Sequence, residues 1–145
     1  MLFTGTVVHQ RVTPSGAPGC SPPCPANPPT NANGTTTVCI SNAGGCQLAD
    51  IKVLHDFLGT SDGTMRRIAS RTGEWGALHF PDSAAPVLVY VHDDSSSWTP
   101  VHVSDGVESF DATFLKRLHG VDRNALHADA DGRIPVTELA AALAH

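Results

Sequence analysis

The sequence predicts a mainly β fold, either a β-barrel or a β-sandwich, with a C-terminal helical segment, so that the class is α+β overall. The first observation is that short runs rich in β-branched residues alternate with Gly-, Pro- and Asn-containing turns over residues 1–105, as in antiparallel β proteins. The second is that apolar residues recur at helical spacing after residue 106. Strands followed by helices argue against a parallel α/β sheet, in which the two alternate.

The length and charge of the chain limit its function. With 145 residues, 41% of them hydrophobic, the chain can bury one core, and we divide it into a β module over 1–105 and a helical tail over 106–145. Nine Lys and Arg against fourteen Asp and Glu predict that nucleic acid is not a partner, because phosphate binding needs clustered cations. No apolar run approaches the ~20 residues of a membrane span.

Six strands are predicted in the β module, each from its own pattern. Residues 3–12 alternate and are dense in β-branched side chains, which favours a strand. Residues 87–91 are consecutively apolar, which is typical of a strand buried on both faces. Residues 48–58 fit helical and strand spacing alike, and we favour a strand that runs into a turn. The others are 35–40, 65–70 and 98–103, with a short extended segment at 78–80.

An insertion over residues 13–34 interrupts the β module. Seven of the eleven prolines lie between residues 13 and 30. Proline fixes φ and has no backbone donor, so neither a central strand nor a helix can run through this stretch. We predict a long surface excursion that is pinned by its cysteines.

All four cysteines lie in or near this insertion: they are Cys20, Cys24, Cys39 and Cys46. An even number in a Pro- and Gly-rich segment indicates two disulfides in an oxidising compartment, with a connectivity that the sequence leaves open. We place Cys39 and Cys46 on the two arms of a hairpin. A zinc site is the first alternative, although only Cys20 and Cys24 have knuckle spacing, and free thiols are the second.

The expected compartment is extracellular or periplasmic. Disulfides persist there, and residues 1–5 lack the basic and apolar regions of a signal peptide, so we expect a mature or excised piece of a secreted protein. Asn33, Gly34 and Thr35 match the N-glycosylation triplet, although such triplets are common by chance and the pattern alone adds little.

Three helices are predicted in the tail. An apolar stripe at helical spacing predicts an amphipathic helix over 109–119 that ends at Gly120. The stripe consists of Phe110, Phe114, Leu115 and Leu118. A short second helix is expected over 122–126, and a third over 135–144, where Pro135 suits the first helical turn.

Residues 127–138 have the pattern of a calcium-binding loop. Gly132 stands where the chain must turn sharply, Ile134 at the apolar position and Glu138 where the bidentate carboxylate belongs. This pattern resembles an EF-hand, and equally the shorter loop of bacterial dockerin-like modules. The resemblance implies calcium as a cofactor and a metal site made of His127, Asp129, Asp131, the Arg133 carbonyl and Glu138.

Two residues depart from the calcium-loop pattern. His127 stands at the first position, which is normally Asp, and a neutral imidazole is a poor ligand for a hard cation. Pro135 offers no side-chain oxygen at the ninth position. We therefore expect weak affinity, of the kind that extracellular modules use. The alternative interpretation is an acidic turn whose Asp residues cap the next helix.

Histidines suggest a different metal site. The chain has eight of them, and His79, His92 and His102 would converge if their flanking strands paired. Such a site could hold zinc and serve a small metal-dependent hydrolase. We assign no catalytic residue, because the sequence has no Gly-x-Ser-x-Gly elbow and no phosphate-binding glycine motif.

The order of signals over residues 1–92 carries a second resemblance. The chain opens with an apolar-x-Gly-x-Val strand, here Phe3, Gly5 and Val7, and a later strand over 53–59 ends in a Leu-Gly turn. With the apolar strand over 87–91, this order resembles a netrin-like module of the kind found in tissue inhibitors of metalloproteinases, which implies an OB-fold barrel. Those inhibitors chelate metal through an N-terminal cysteine, and Met1 stands in its place, so inhibition is not carried over. A transthyretin-like β-sandwich would give similar strand signals.

These observations together predict a non-catalytic extracellular binding or accessory module with an unidentified protein partner. Its calcium loop would lock the terminal helices onto the β module, because a bound ion stabilises the state that binds it. The alternatives are the histidine-based hydrolase and a purely structural domain of a larger secreted protein.

Overall fold

The computed structural model describes residues 1–18, 20, 22, 24–25, 27, 30–36, 45–59, 62–71, 80–81, 84–93 and 95–144. Within these residues the mainly β class is confirmed by eight strands, two short 3₁₀ helices and one α-helix. The strands form two antiparallel sheets, and the described strands do not close into a barrel. No helix in the same ranges is long and apolar enough to cross a bilayer.

The larger sheet has five strands in the order β3-β2-β1-β4-β5. They are β1 (Leu2–Thr13), β2 (Cys46–Leu58), β3 (Met65–Arg71), β4 (Val87–His92) and β5 (Ser95–Pro100). β4 is paired on both sides, so that Val89 stands opposite both Phe3 of β1 and Trp98 of β5. The strands predicted over 3–12, 65–70 and 87–91 are therefore confirmed.

β2 resolves the ambiguous residues 48–58 as a strand. Ile51 and Val53 are buried, whereas Lys52 and Leu54 between and beyond them are exposed. This alternation has the period of a strand, with one face in the core and one in water. The helical spacing in the same residues has no counterpart in their burial.

The smaller sheet has three strands in the order β6-β7-β8. They are β6 (His102–Ser104), β7 (Val107–Asp111) and β8 (Arg133–Pro135). The strand predicted over 98–103 is divided between the two sheets, because β5 ends at Pro100 and β6 begins at His102. A proline nitrogen cannot donate to a ladder, so Pro100 suits the end of a strand.

The amphipathic helix predicted over 109–119 is wrong. Phe110 lies in β7, paired with β8, and a 3₁₀ helix (Ala112–Arg117) follows. Asp111 is the last residue of β7 and the N-cap of this 3₁₀ helix. Its carboxylate accepts hydrogen bonds from the N–H (2.8 Å) and the hydroxyl (2.6 Å) of Thr113. Because such a cap lies at the first residue of a helix, it ends the strand and begins the helix. The apolar stripe is real, but its side chains enter one core from a strand and a short helix.

The rest of the tail follows the predictions more closely. α1 (Val136–Leu143) confirms the helix predicted over 135–144, with Pro135 at its N-terminus. The second 3₁₀ helix (Arg123–Ala125) lies within the predicted 122–126 and is capped by the Asp122 carboxylate. Both of these short elements begin one residue after the position that the sequence predicts.

The chain divides into two compact units. The first consists of Met1–His9, Asp50–Arg67 and Pro81–His145, and the second of Gln10–Ala49 and Ile68–Phe80. The main core belongs to the first unit, and its fully buried members are Leu2, Leu88, Phe110, Ile134, Val136 and Leu139. Four of these six residues lie in β7, β8 and α1, so the core positions the strand and the helix in which the predicted calcium loop ends.

The second unit contains the disulfide. Cys20 and Cys46 are bonded, with Cα atoms 5.6 Å apart, and Cys24 is also disulfide-bonded. The alternatives of a zinc site and of free thiols are therefore wrong for these three cysteines. The described residues between 14 and 36 form no helix and only an isolated bridge of strand type, as the prolines predict.

Several predictions fall on residues outside the described ranges. They are residues 37–40 of the strand predicted over 35–40, the turn and hairpin around 41–44 with Cys39, and His79 with most of the extended segment at 78–80. These predictions stand as they were made.

Gly45, next to the disulfide, has a backbone that an alanine would disturb. Its φ is +82°, and a Cβ there would overlap the carbonyl oxygen of Thr13, whereas Gly63 has a φ of +73° and a Cβ there would have no atom of a described residue within 4 Å. We expect Gly63→Ala to cost about 1 kcal/mol of unfolding free energy through the positive φ alone. Gly45→Ala should cost about 2–4 kcal/mol, because overpacking adds to that strain. Urea unfolding measures both variants, and equal losses would contradict the close approach.

Candidate functional site

The predicted calcium loop, residues 127–138, contains a tight turn closed by Asp129. Oxygen Oδ1 of its carboxylate accepts hydrogen bonds from the N–H of Asp131 (2.9 Å) and of Arg133 (2.8 Å). The Asp129 N–H donates to the Arg133 carbonyl (2.9 Å), and the Gly132 N–H donates to the Asp129 carbonyl (3.0 Å). The turn is therefore fixed by its own residues before any ion is considered.

The residues that follow this turn match the calcium-loop pattern of the sequence in their backbone structure. Gly132 has a φ of +74°, a conformation that L side chains rarely adopt, at the position predicted for the sharp turn. The apolar Ile134 is buried in β8 opposite Phe110, and α1 then begins with Glu138 in its first turn. The pattern of turn, buried apolar residue and helical carboxylate is thus present in the backbone.

The side chains predicted as ligands point into solvent. His127, Asp129, Asp131 and Glu138 are all exposed. Among the described residues Asp129 uses only Oδ1 in its hydrogen bonds, and its Oδ2 accepts none. The Arg133 carbonyl accepts one hydrogen bond, and a carbonyl oxygen has a second lone pair. The predicted oxygen ligands are therefore accessible, although they stand apart.

No group of three or more His, Cys, Asp or Glu side chains within the described ranges is arranged to hold a metal ion. The distances between the loop carboxylates would have to shorten for three of them to bind one cation. Exposed Asp and Glu side chains on the surface can change rotamer at little cost, since staggered wells are close in energy. Calcium binding accordingly stays a prediction for this loop.

The alternative interpretation, an acidic turn that caps the next helix, describes the loop only in part. Asp129 does cap backbone N–H groups, but they belong to Asp131 and Arg133 in the turn. The helix α1 has Pro135 at its N-cap and no side-chain cap. The acidic residues therefore shape the turn and do not cap α1.

A further carboxylate lies beside the loop. Asp111 stands opposite Arg133 in the pairing of β7 with β8, and the Ala112 N–H donates to the Gly132 carbonyl (2.9 Å). Hydrogen bonds from the Thr113 hydroxyl and N–H lower the pKa of Asp111, with smaller contributions from nearby His102 and Arg133. A carboxylate that stays ionised next to the loop favours the approach of cations.

The histidines considered for a hydrolase are distributed over the two sheets. His92 ends β4, where its ring stacks on that of Tyr90 with centroids 6.0 Å apart, and its Nε2 lies 3.5 Å from an oxygen of Asp93. His102 begins β6, where its carbonyl accepts a hydrogen bond from the Ser109 hydroxyl. His79 lies outside the described residues. Nothing in the described geometry favours a histidine metal centre.

Thr4, His55 and Glu108 form a polar cluster that no sequence pattern predicts. The Thr4 hydroxyl donates to the Glu108 carboxylate (3.0 and 3.1 Å), and His55 Nδ1 lies 3.0 Å from Glu108 Oε1. Thr4 is fully buried, and the side chains of Glu108 and His55 are 11% and 62% exposed. The cluster joins β1, β2 and β7 through satisfied polar groups, and the buried Thr4 hydroxyl cannot meet a substrate. No sequence signal could have found it, because the three residues are far apart along the chain.

Comparison of the chain with protein-family models, with curated proteins and with solved structures found no match. Function is therefore inferred from the geometry of the loop and from the chemistry of the disulfide.

Proposed function

We propose that this protein is a non-catalytic binding module of an extracellular or periplasmic space, whose C-terminal loop binds calcium weakly. The single observation that supports the proposal most is the backbone of residues 129–138. It combines a positive-φ glycine, a buried apolar residue in a strand and a carboxylate in the first turn of a helix. Three exposed carboxylates, those of Asp129, Asp131 and Glu138, belong to this segment.

Calcium would act here as a structural ion. Oxygen ligands in flexible geometry are what Ca²⁺ selects, and the loop offers Asp129, Asp131, Glu138 and the Arg133 carbonyl. The flanking β8 and α1 carry fully buried core residues. An ion that joins the turn to α1 would stabilise the folded state in proportion to its excess over the dissociation constant.

The extracellular assignment is supported by the disulfide. The Cys20–Cys46 bond favours an oxidising compartment, because cytosolic thiols are kept reduced. Millimolar calcium is also found outside cells, where modules with dissociation constants of about 10⁻⁴–10⁻³ M are useful. The disulfide and the loop therefore point to the same surroundings.

The netrin-like resemblance is part of the proposal for the β module. It is supported by β1, which carries Gly5 and Val7, and by the buried apolar strand β4. A protein partner would meet the exposed surface of this module, and protease inhibition through a terminal cysteine is not proposed.

Thermal unfolding in calcium tests the calcium site. With a dissociation constant of about 0.5 mM, calcium at about 5 mM should add about 1.4 kcal/mol of stability. For a chain of this length that raises Tm by about 3–6 °C relative to the protein in chelator. The measurement is a pair of melts followed by circular dichroism.

Variants of the loop carboxylates test whether the rise in Tm comes from the predicted calcium loop. Asp131→Ala and Glu138→Gln should each remove most of the rise in Tm, because each removes one of the three carboxylate ligands. Asp105→Asn is the matched control, since it removes a carboxylate from another exposed turn that also has a positive φ, and it should keep the full rise. Identical melts of the parent in calcium and in chelator would refute the calcium site.

A further inference from the structure

Residues 30–36 form a small exposed turn within the Pro-rich insertion. Thr30 and Thr36 are bridged in antiparallel fashion, and the Asn31 N–H donates to the Thr35 carbonyl (2.9 Å). The Gly34 N–H donates to the Asn31 carbonyl (2.9 Å). All seven residues are exposed, so the turn is held by its own hydrogen bonds and projects into water.

Asn33 sits at the tip of this turn with its side chain in a defined orientation. Its Oδ1 accepts a hydrogen bond from the N–H of Thr35 (3.2 Å), which is the Asx turn that Asn forms with a residue two positions on. The amide nitrogen Nδ2 makes no hydrogen bond within the described residues, and a Cβ at Gly34 would have no atom within 4 Å. Asn33 is exposed as a residue, so its amide can be reached from solvent.

We propose that Asn33 is an acceptor site for an N-linked glycan. Asn33, Gly34 and Thr35 form the single Asn-x-Ser/Thr triplet of the sequence, and the triplet is the recognition pattern for this modification. The structure adds to the pattern an exposed turn, an Nδ2 that makes no hydrogen bond with a described residue, and open space beside Gly34 among the described residues. The proposal does not rest on calcium binding, because the turn and the calcium loop share no residue.

Transfer of the glycan is a nucleophilic substitution at C1 of the sugar. Nδ2 of Asn33 bonds to C1 of a sugar carried on a lipid-linked diphosphate donor, the bond between C1 and the diphosphate oxygen breaks, and the lipid diphosphate leaves with the bonding electron pair. One amide proton passes to a base of the transferase, and nothing is oxidised or reduced. The proposal rests on the extracellular part of the proposed function, which the Cys20–Cys46 disulfide supports by favouring an oxidising compartment.

Secretion of the full chain from a eukaryotic host behind a cleavable leader tests the proposal. Most secreted molecules should carry the mass of one glycan, and a peptide amidase that releases N-glycans should remove it. Release in heavy-oxygen water labels the Asp that the amidase creates, and a parallel incubation without amidase measures spontaneous deamidation at Asn33–Gly34, which takes up the same label.

Variants assign the modification to the triplet. Asn33→Gln and Thr35→Val should abolish the mass gain, whereas Thr35→Ser and Asn31→Gln should keep it, the last being the control within the same turn. A double variant, Asp105→Asn with Val107→Thr, builds a second acceptor in the exposed β6–β7 turn and should carry two glycans. Secreted, disulfide-bonded parent protein without a glycan, from a host that does modify the second acceptor, would overturn the proposal.

Discussion

Replacement of Phe110 by alanine is expected to reduce the free energy of unfolding by about 3–5 kcal/mol, the range for a buried Phe. Its side chain is 0% exposed, and its ring meets that of Phe114 edge-on with centroids 5.8 Å apart. The backbone of Phe110 also pairs with β8 through Ile134. The variant therefore loses transfer energy, leaves a cavity and weakens the packing of β8, which lies within the predicted calcium loop.

Urea unfolding of the variant and parent measures this loss. The matched control is Val103→Ala, because Val103 lies in the adjacent strand β6 but is 59% exposed, and exposed substitutions usually change stability by about 0.5 kcal/mol or less. A loss for Phe110→Ala no larger than that of the control would show that Phe110 is not a core residue. The stabilisation by calcium that we propose should also shrink in Phe110→Ala, because Ile134 loses the aromatic side chain that stands opposite it in the pairing of β7 with β8.

The strands of the larger sheet could be predicted because their burial follows local sequence. In β4 consecutive apolar residues are buried on both faces, and in β2 burial alternates with period two. Each pattern reports directly on the side of a strand that faces the core. The register and the order of the strands could not be predicted in this way. β1 pairs with β4, which is far away along the chain, and no local pattern encodes which strands pair.

The failure at residues 109–119 has a specific physical reason. Apolar residues at helical spacing reach one core equally well from the end of a strand and the face of a 3₁₀ helix. The deciding contact is the pairing of Phe110 with Ile134, which is remote in sequence and overrides local propensity. Asp111 did carry a local signal, because an Asp before Ala-Thr is a good helix N-cap.

The polar sites of the protein also differ in how far the sequence predicts them. The turn at Gly132 and the start of α1 follow from residues that are neighbours in the chain, and the sequence predicted both. The side chains of Thr4, His55 and Glu108 meet only because three strands bring them together. A site built within one loop is therefore visible in sequence, whereas one assembled by tertiary structure is not.

Removal of the Cys20–Cys46 disulfide is expected to cost about 3.5 kcal/mol. The bond closes a loop with a sequence separation of 26, and the chain-entropy relation gives this value for a loop of about that length. We expect the full loss of unfolding free energy because of the segment that the disulfide closes. This segment is rich in proline and has no helix among its described residues. Such a segment contributes few contacts of its own that could replace the bond.

The test is urea unfolding of a Cys20→Ala, Cys46→Ala double variant against the oxidised parent. Since the bond acts mainly on the unfolded chain, its removal should lower the midpoint and also raise the m-value, because the freed chain exposes more surface. Full reduction of the parent opens every bridge, so its loss should equal or exceed that of the variant. A loss below about 1 kcal/mol with an unchanged m-value would mean that contacts within the insertion, and not the disulfide, hold it in place.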